Sequence, residues 1–318
     1  MAYYSGSAVG FEALRAAIFG ACIDNGWSLA GDILSKGSAF VRLYITESAT
    51  TSEGAGLIAQ GGTGESGGEL IGGTDVRPRI GLPGLPGAVP AIVWPVEYNI
   101  HLFTEPEEVY CIIRTSVDRF FYLAFGISDV PGVGGTGLWV SGSSYRGYSS
   151  SVAAGWSSAP ESGFEFYYAI GEGCPCPFWR IQGGAGLQYA SDVIHVGLDS
   201  VGWASPSTAV VQSVGSVNAS LAAAPHIARS PSPWNQDSPL IPIQAYLQRA
   251  SSKRSLVLDL RNARYLRINN YAPGQLISLG TDTWKIYPFY QKNSSQPDGG
   301  IVISHTGTLG WAIRYDGP

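Results

Sequence analysis

Charge is scarce in this chain: 14% of its 318 residues are Asp, Glu, Lys or Arg, against 45% hydrophobic ones. Nineteen basic and twenty-four acidic residues leave a formal net charge of −5, and no basic run is longer than Lys253-Arg254. A phosphate-binding face needs clustered Lys and Arg, so nucleic acid is not expected as the main partner. Long apolar runs are lacking too. None approaches the ~18 residues that cross a bilayer as a helix, so no membrane span is expected. The opening MAYYSGSAVGFEALRAAIFGA has neither a basic leader nor a clear cleavage pattern, which reads as a soluble protein made in a cytoplasm.

Cysteine is sparse, with four in all. Cys22 and Cys111 lie in apolar surroundings and read as reduced core thiols. Cys174 and Cys176 form a C-x-C among prolines. A zinc site would need a second ligand pair, and no histidine is close by in sequence, so reduced cysteines are expected there, with a metal or a disulfide left open.

Signatures of catalysis are also wanting. The chain is read as lacking a nucleophile elbow, an H-E-x-x-H, a Walker sequence and a G-x-G-x-x-G between strand and helix. No catalytic residue, cofactor or metal is therefore assigned. Glycosidases need only two suitably placed carboxylates, which keeps Glu161, Glu165, Glu172 and Asp192 formally in play; solvated loop acids explain them equally well. His101, His195, His226 and His305 are scattered, and the two inside apolar runs, NIHLF and VIHVG, read as strand histidines rather than metal ligands. Glu105, Glu107 and Glu108 in EPEE read as a solvated hairpin tip rather than a calcium site.

What the chain does have is glycine, proline and aromatic rings: 42 Gly, 20 Pro and 12% Phe, Trp and Tyr. That composition implies a mainly β protein, with antiparallel sheets in a sandwich-like body, one N-terminal amphipathic helix and long Gly/Ser/Pro-rich loops. Phe11, Leu14, Ile18 and Cys22 share one helical stripe, Asn25-Gly26 ends it, and Trp27 follows as the residue that docks it on a sheet. Val41–Ile45 alternates as a strand. Residues 48–90 read as one long loop holding at most a short hairpin, ordered by partners and open to protease in the isolated chain.

Residues 92–127 hold three β-branched and aromatic runs broken by turns, which is the pattern of an antiparallel meander. The Gly/Ser-rich stretch after it carries Trp139, Tyr145, Tyr148 and Trp156, rings that suit contact with a neighbour. Strands are expected in FEFYYAI and VIHVGLDS. A linker-like segment at 206–238 divides residues 1–205, the helix and first β body, from a C-terminal β region at 239–318. There Gly280-Thr281-Asp282 turns between two strands. In DTWKIYPFYQKN, alternation sends Trp284 and Ile286 to one face and Lys285 and Tyr287 to the other, and Pro288 requires an edge or a kink. Trp284, Tyr287 and Tyr290 join the interface candidates.

The order of these pieces resembles structural proteins of tailed-bacteriophage virions. The pieces are the helix ending in NGW, the strand FVRLYI, the meander with RFFYLAFG, GGTGLWVSGS, and the closing WKIYPFYQKN and GTLGWAIRYDGP. The resemblance implies a tail or baseplate component, present in the virion after synthesis in the host cytoplasm. It would contact copies of itself and other tail proteins and would have no catalytic site. A receptor- or glycan-binding virion module, touching a host-surface glycan, is the alternative, and a glycan-cleaving virion enzyme is the third reading.

Overall fold

The computed structural model describes residues 1–46, 56–81, 92–143, 178, 192–205, 211–213, 237–249, 253–289, 292 and 309–317. In chain order, β1 (Ala2–Ala8) leads into α1 (Phe11–Asp24), β2 (Ser28–Ala30), β3 (Ile33–Lys36) and β4 (Ala39–Thr46). Then come β5 (Gly56–Gly62), β6 (Gly64–Ser66), β7 (Glu69–Ile71), β8 (Arg79–Gly81), β9 (Val96–Thr104), β10 (Glu107–Arg114) and β11 (Phe120–Ile127). β12 (Leu138–Gly142), β13 (Asp192–Val196), β14 (Gly202–Ala204) and β15 (Val211–Ser213) follow. The last are β16 (Ile241–Gln248), β17 (Arg254–Arg267), β18 (Leu276–Leu279), β19 (Asp282–Pro288) and β20 (Leu309–Arg314).

The strands form a seven-stranded sheet (β1-β9-β10-β11-β12-β13-β14), a six-stranded sheet (β15-β16-β17-β20-β19-β18), a five-stranded sheet (β2-β3-β4-β5-β8) and the β6-β7 hairpin. Every pairing among the described strands is antiparallel, the expected meander β9-β10-β11 among them. The seven-stranded sheet is the middle layer. On one face Tyr110, Ile112, Tyr122 and Trp139 meet Ile243, Leu258, Tyr265 and Trp311 of the six-stranded sheet. On the other, Cys111, Ile113, Leu123 and Phe125 meet Leu14 and Ile18 of α1 and Val41 and Leu57 of the five-stranded sheet. This explains the unbroken apolar runs EVYCIIR and FFYLAFG. A strand buried on both sides has no polar face to alternate with.

The helix docks as its stripe requires, with Leu14, Ile18, Ala21 and Cys22 buried. Of these, Leu14 and Ile18 each contribute about 1.5–3 kcal/mol on burial. The end is closed by backbone bonds from Asn25 and Trp27 to the Cys22 carbonyl, with Gly26 at φ +83°, where a side chain would be strained. Trp27 is then delivered edge-on to Phe125, ring centroids 5.5 Å apart. The helix is a cover on the middle sheet.

One expectation is corrected. Residues 56–81 are not a single loop: the short hairpin is present as β6-β7, but β5 also lies between β4 and β8, and Leu57, Ile58, Ala59 and Ile80 are fully buried. Two of the glycines that suggested a loop sit where there is no room for a side chain, Gly61 against the middle sheet and Gly56 against the neighbouring strand β8. A Cβ on Gly61 would sit 2.8 Å from the Trp203 ring and 3.2 Å from Leu138 and Val140, and one on Gly56 2.7 Å from the Ile80 carbonyl. Glycine lets β5 lie flush on the middle sheet. Most of the linker-like segment 206–238 lies outside the described residues; its described parts are β15, which pairs with β16, and residues 237–238. Pro288 closes β19 opposite Gly310, beyond the end of β18, whose pairing starts at Lys285, so its missing N–H leaves no ladder bond open on that side.

Candidate functional site

The polar side chains that these strands carry inward gather at the junctions between layers. Glu108 on β10 is buried, and both its oxygens are engaged. Oε1 accepts the Arg261 backbone N–H at 2.9 Å. Oε2 accepts the Asn262 backbone at 3.0 Å, the Asn262 side-chain amide at 2.8 Å and the Tyr110 hydroxyl at 3.0 Å. The two amides come from a shift in the β16–β17 register, where Gln244 faces Asp259 but Pro242 faces Arg264. Backbone donors that leave the ladder there are received by a carboxylate from the facing sheet. Burial pushes the Glu108 carboxyl up, and its hydrogen bonds to Arg261, Asn262 and Tyr110 pull it partly back.

A second cluster lies where β1 and β9 meet β19 and the end of β20. The fully buried His101 shares a hydrogen bond of 2.9 Å between Nε2 and the Tyr287 hydroxyl. On its other side the ring interacts with the Arg314 backbone. Burial, and after it the charge of Lys285, lowers its pKa to about 3, which the Arg314 backbone partly opposes, so the ring is neutral at physiological pH. Beside it the Lys285 ammonium donates to the Tyr3 hydroxyl at 2.7 Å and lies 4.4 Å from the Tyr3 ring centroid and 5.1 Å from that of Tyr315. Tyr3 donates in turn to Asn99 Oδ1 at 2.5 Å. Cation–π attraction and these bonds tie the first strand to the last two. A histidine this reluctant to take a proton is suited to fastening sheets rather than to acid–base turnover near neutral pH.

The other sequence candidates are placed as follows. Trp139 is fully buried between the middle and six-stranded sheets, and Tyr287 is buried in the same core. Trp284 packs with Leu266, Ile268 and Ile286 in a small core on the outer side of the six-stranded sheet. The ring area of these three is already covered within the chain. Tyr145, Tyr148, Trp156 and Tyr290 lie outside the described residues, as do Glu161, Glu165, Glu172, Cys174, Cys176, His226 and His305. Asp192 is buried and accepts the Ser141 hydroxyl at 2.5 Å, while Ser141 also meets the Tyr122 hydroxyl at 3.1 Å. Cys22 and Cys111 are free and buried, and burial raises both thiols far above their ordinary range. Among the described residues no three His, Cys, Asp or Glu converge as a metal site would require.

Two readings of the sequence need correction. EPEE is not a solvated tip: only Glu105 is exposed, Glu107 pairs with Lys36 at 2.8 Å, and Glu108 is the inter-sheet anchor. Alternation along EEVYCIIR already places Glu108 on the face of Tyr110 and Ile112, and that was the available signal. The letters G-x-S-x-G do occur, as Gly64-Glu65-Ser66-Gly67-Gly68. They form the tight turn of the β6-β7 hairpin, with Gly67 and Gly68 at positive φ, and not the strand-to-helix elbow that exposes a nucleophile.

Among the described residues the architecture is that of a layered, antiparallel β protein with one α-helix covering the middle sheet. No family model matches the chain, and no curated protein does.

Proposed function

We propose that this chain is a structural, assembly-forming protein of the kind that builds the tail or baseplate of a tailed bacteriophage. It acts in the virion through repeated contacts with copies of itself and with other tail proteins, and in this reading it turns over no substrate. The observation that carries the assembly reading is β18. It is an open edge of the six-stranded sheet among the described strands, and it exposes Leu276 and Leu279 at 50% and 60%. An edge strand offers a row of unpaired N–H and C=O groups, and soluble monomers usually blunt such edges with charge. This one carries Leu-Ile-Ser-Leu instead. The use of Glu108, His101 and Asp192 as fasteners between strands and layers fits the same reading, since a load-carrying subunit needs stiffness.

Light scattering on the purified chain, beside the double variant Leu276→Lys/Leu279→Lys, tests the proposal. Concentration-dependent oligomers in the unsubstituted chain, lost in the variant, are expected. A monomer across the accessible concentration range, or oligomers unaffected by the two lysines, would remove β18 as the carrier of assembly.

A further inference from the structure

His195, on β13 and paired with the edge strand β14, lies under the loop GVGGTG. Gly134, Gly135 and Gly137 of that loop all have positive φ. The loop rests directly on the strand end: a Cβ on Gly135 would sit 2.9 Å from both the Gly197 amide and His195 Nδ1. The Gly197 N–H reaches the Val133 carbonyl at 3.1 Å, and the Gly137 N–H reaches the His195 carbonyl at 3.0 Å. Between these the Thr136 backbone N–H donates to His195 Nδ1 at 3.0 Å, with the Thr136 hydroxyl at 3.2 Å. A backbone N–H can only donate. Nδ1 must therefore be the bare nitrogen, the ring proton resides on Nε2, and the next proton can go nowhere but Nδ1.

Both neighbours of this ring lead to the five-stranded layer. The Thr136 carbonyl accepts the Ser38 hydroxyl from the β3–β4 turn at 2.9 Å. Trp203, its ring centroid 4.8 Å from that of His195, donates through Nε1 to the Gly72 carbonyl after β7 at 2.9 Å.

We propose that His195 is an acid-sensitive latch: a proton taken up at Nδ1 sets two N–H groups face to face, breaks the Thr136 amide bond to the ring, and loosens the middle of the 132–137 loop, between its backbone anchors at Val133 and Gly137, from β13 and from the β3–β4 turn. Burial lowers the pKa of His195, which keeps the latch closed at neutral pH. The charged groups on the surrounding elements leave its proton affinity to burial. On the turn after β13, Asp199 is held by both Arg249 nitrogens. At the β3–β4 turn Lys36 is paired with Glu107, and on the β6-β7 hairpin Glu65 receives the Gly68 amide while Glu69 ends the exposed turn. The loop itself contributes only glycines, Val133 and Thr136. Because the folded pKa lies below the unfolded value of about 6.5, the latch is fully closed above that pH and opens as the pH falls below it.

The Thr136 amide reports on the latch directly. Hydrogen exchange on the full chain, corrected for intrinsic rates, is compared at pH 7.5 and 5.0 with the His195→Asn variant, whose side-chain oxygen keeps an acceptor near Nδ1 that does not titrate. The wild-type Thr136 amide is expected to lose protection roughly tenfold at the lower pH, the equivalent of one hydrogen bond, and the variant to lose none. Equal wild-type protection at both pH values, or the same loss in the variant, overturns the proposal. Should the variant fail to fold, ¹⁵N titration of the wild-type ring decides. Bare Nδ1 at pH 7.5 with a pKa below 6.5, matched by the midpoint of the Thr136 shift, supports the latch. A proton on Nδ1, or a pKa at or above 6.5, overturns it.

Discussion

The His101 imidazole on β9 and the Tyr287 hydroxyl on β19 meet at 2.9 Å, joining the middle sheet to the six-stranded sheet at a point that water does not reach. The unfolded chain protonates a free histidine near 6.5, whereas the folded one resists until about 3. Stability from keeping this ring neutral is complete above pH 6.5 and is lost as the pH falls toward 3, reaching about 3 kcal/mol by pH 4. Urea unfolding at pH 7 and pH 4 checks this. His101→Phe should show a pH 7-to-4 loss smaller by about that amount, and an unchanged loss would mean that His101 is reachable by protons in the fold.

Glu108 should tolerate even its closest mimic poorly. Glu108→Gln turns one acceptor oxygen into a donor facing the Arg261 or Asn262 amide, and stability should fall by about 1–3 kcal/mol. Chemical denaturation measures it. A neutral substitution would show that the carboxylate is protonated and needs only one acceptor.

Gly61→Val separates a packed strand from a loop. Its side chain would run into Trp203, Leu138 and Val140, and overpacking of this kind costs about 1–3 kcal/mol. A loop glycine would accept valine with little change in the thermal midpoint.

Trp139→Ala should damage the monomer before any assembly. The ring is fully buried, with Tyr110 6.0 Å away centroid to centroid, and its removal should cost about 3–5 kcal/mol. Circular dichroism of the variant at concentrations too low for self-association is the measurement; a native melt there would return Trp139 to the surface.

Much of the architecture could be read from residue order. The helix stripe, the meander and the turn at Gly280 follow from periodicity and turn chemistry, and β18 and β19 do flank that glycine at φ +63°. β5 was hidden because glycine has two uses, freedom in a turn and absence of a side chain where sheets touch, and only the position of Trp203 tells them apart. Phe121 and Leu123 face the same side of β11, as alternate residues must, and both are buried. The second covering layer was not foreseeable from their spacing. Glu108 was misjudged for a related reason: a carboxylate in a strand looks exposed until the donors on another sheet, more than 150 residues away, are in place. His101 is the strand histidine that its apolar run suggests, satisfied by Tyr287.

A sheet covered on both sides loses the usual safeguard against slipping. When one face is wet, sliding a strand by one residue drives its apolar side chains into water. Along β10 and β11 it would merely exchange one greasy surface for another. The few buried polar groups then act as addresses. Only with Glu108 opposite Gly126 and His101 opposite Tyr110 do the carboxylate and the imidazole reach the facing sheet at the right places. A slipped strand would strand a buried carboxylate without donors, at a cost of several kcal/mol that the apolar residues alone would not impose. In this molecule the choice among alternative strand alignments falls to a handful of hydrophilic atoms within an interior that is otherwise indifferent.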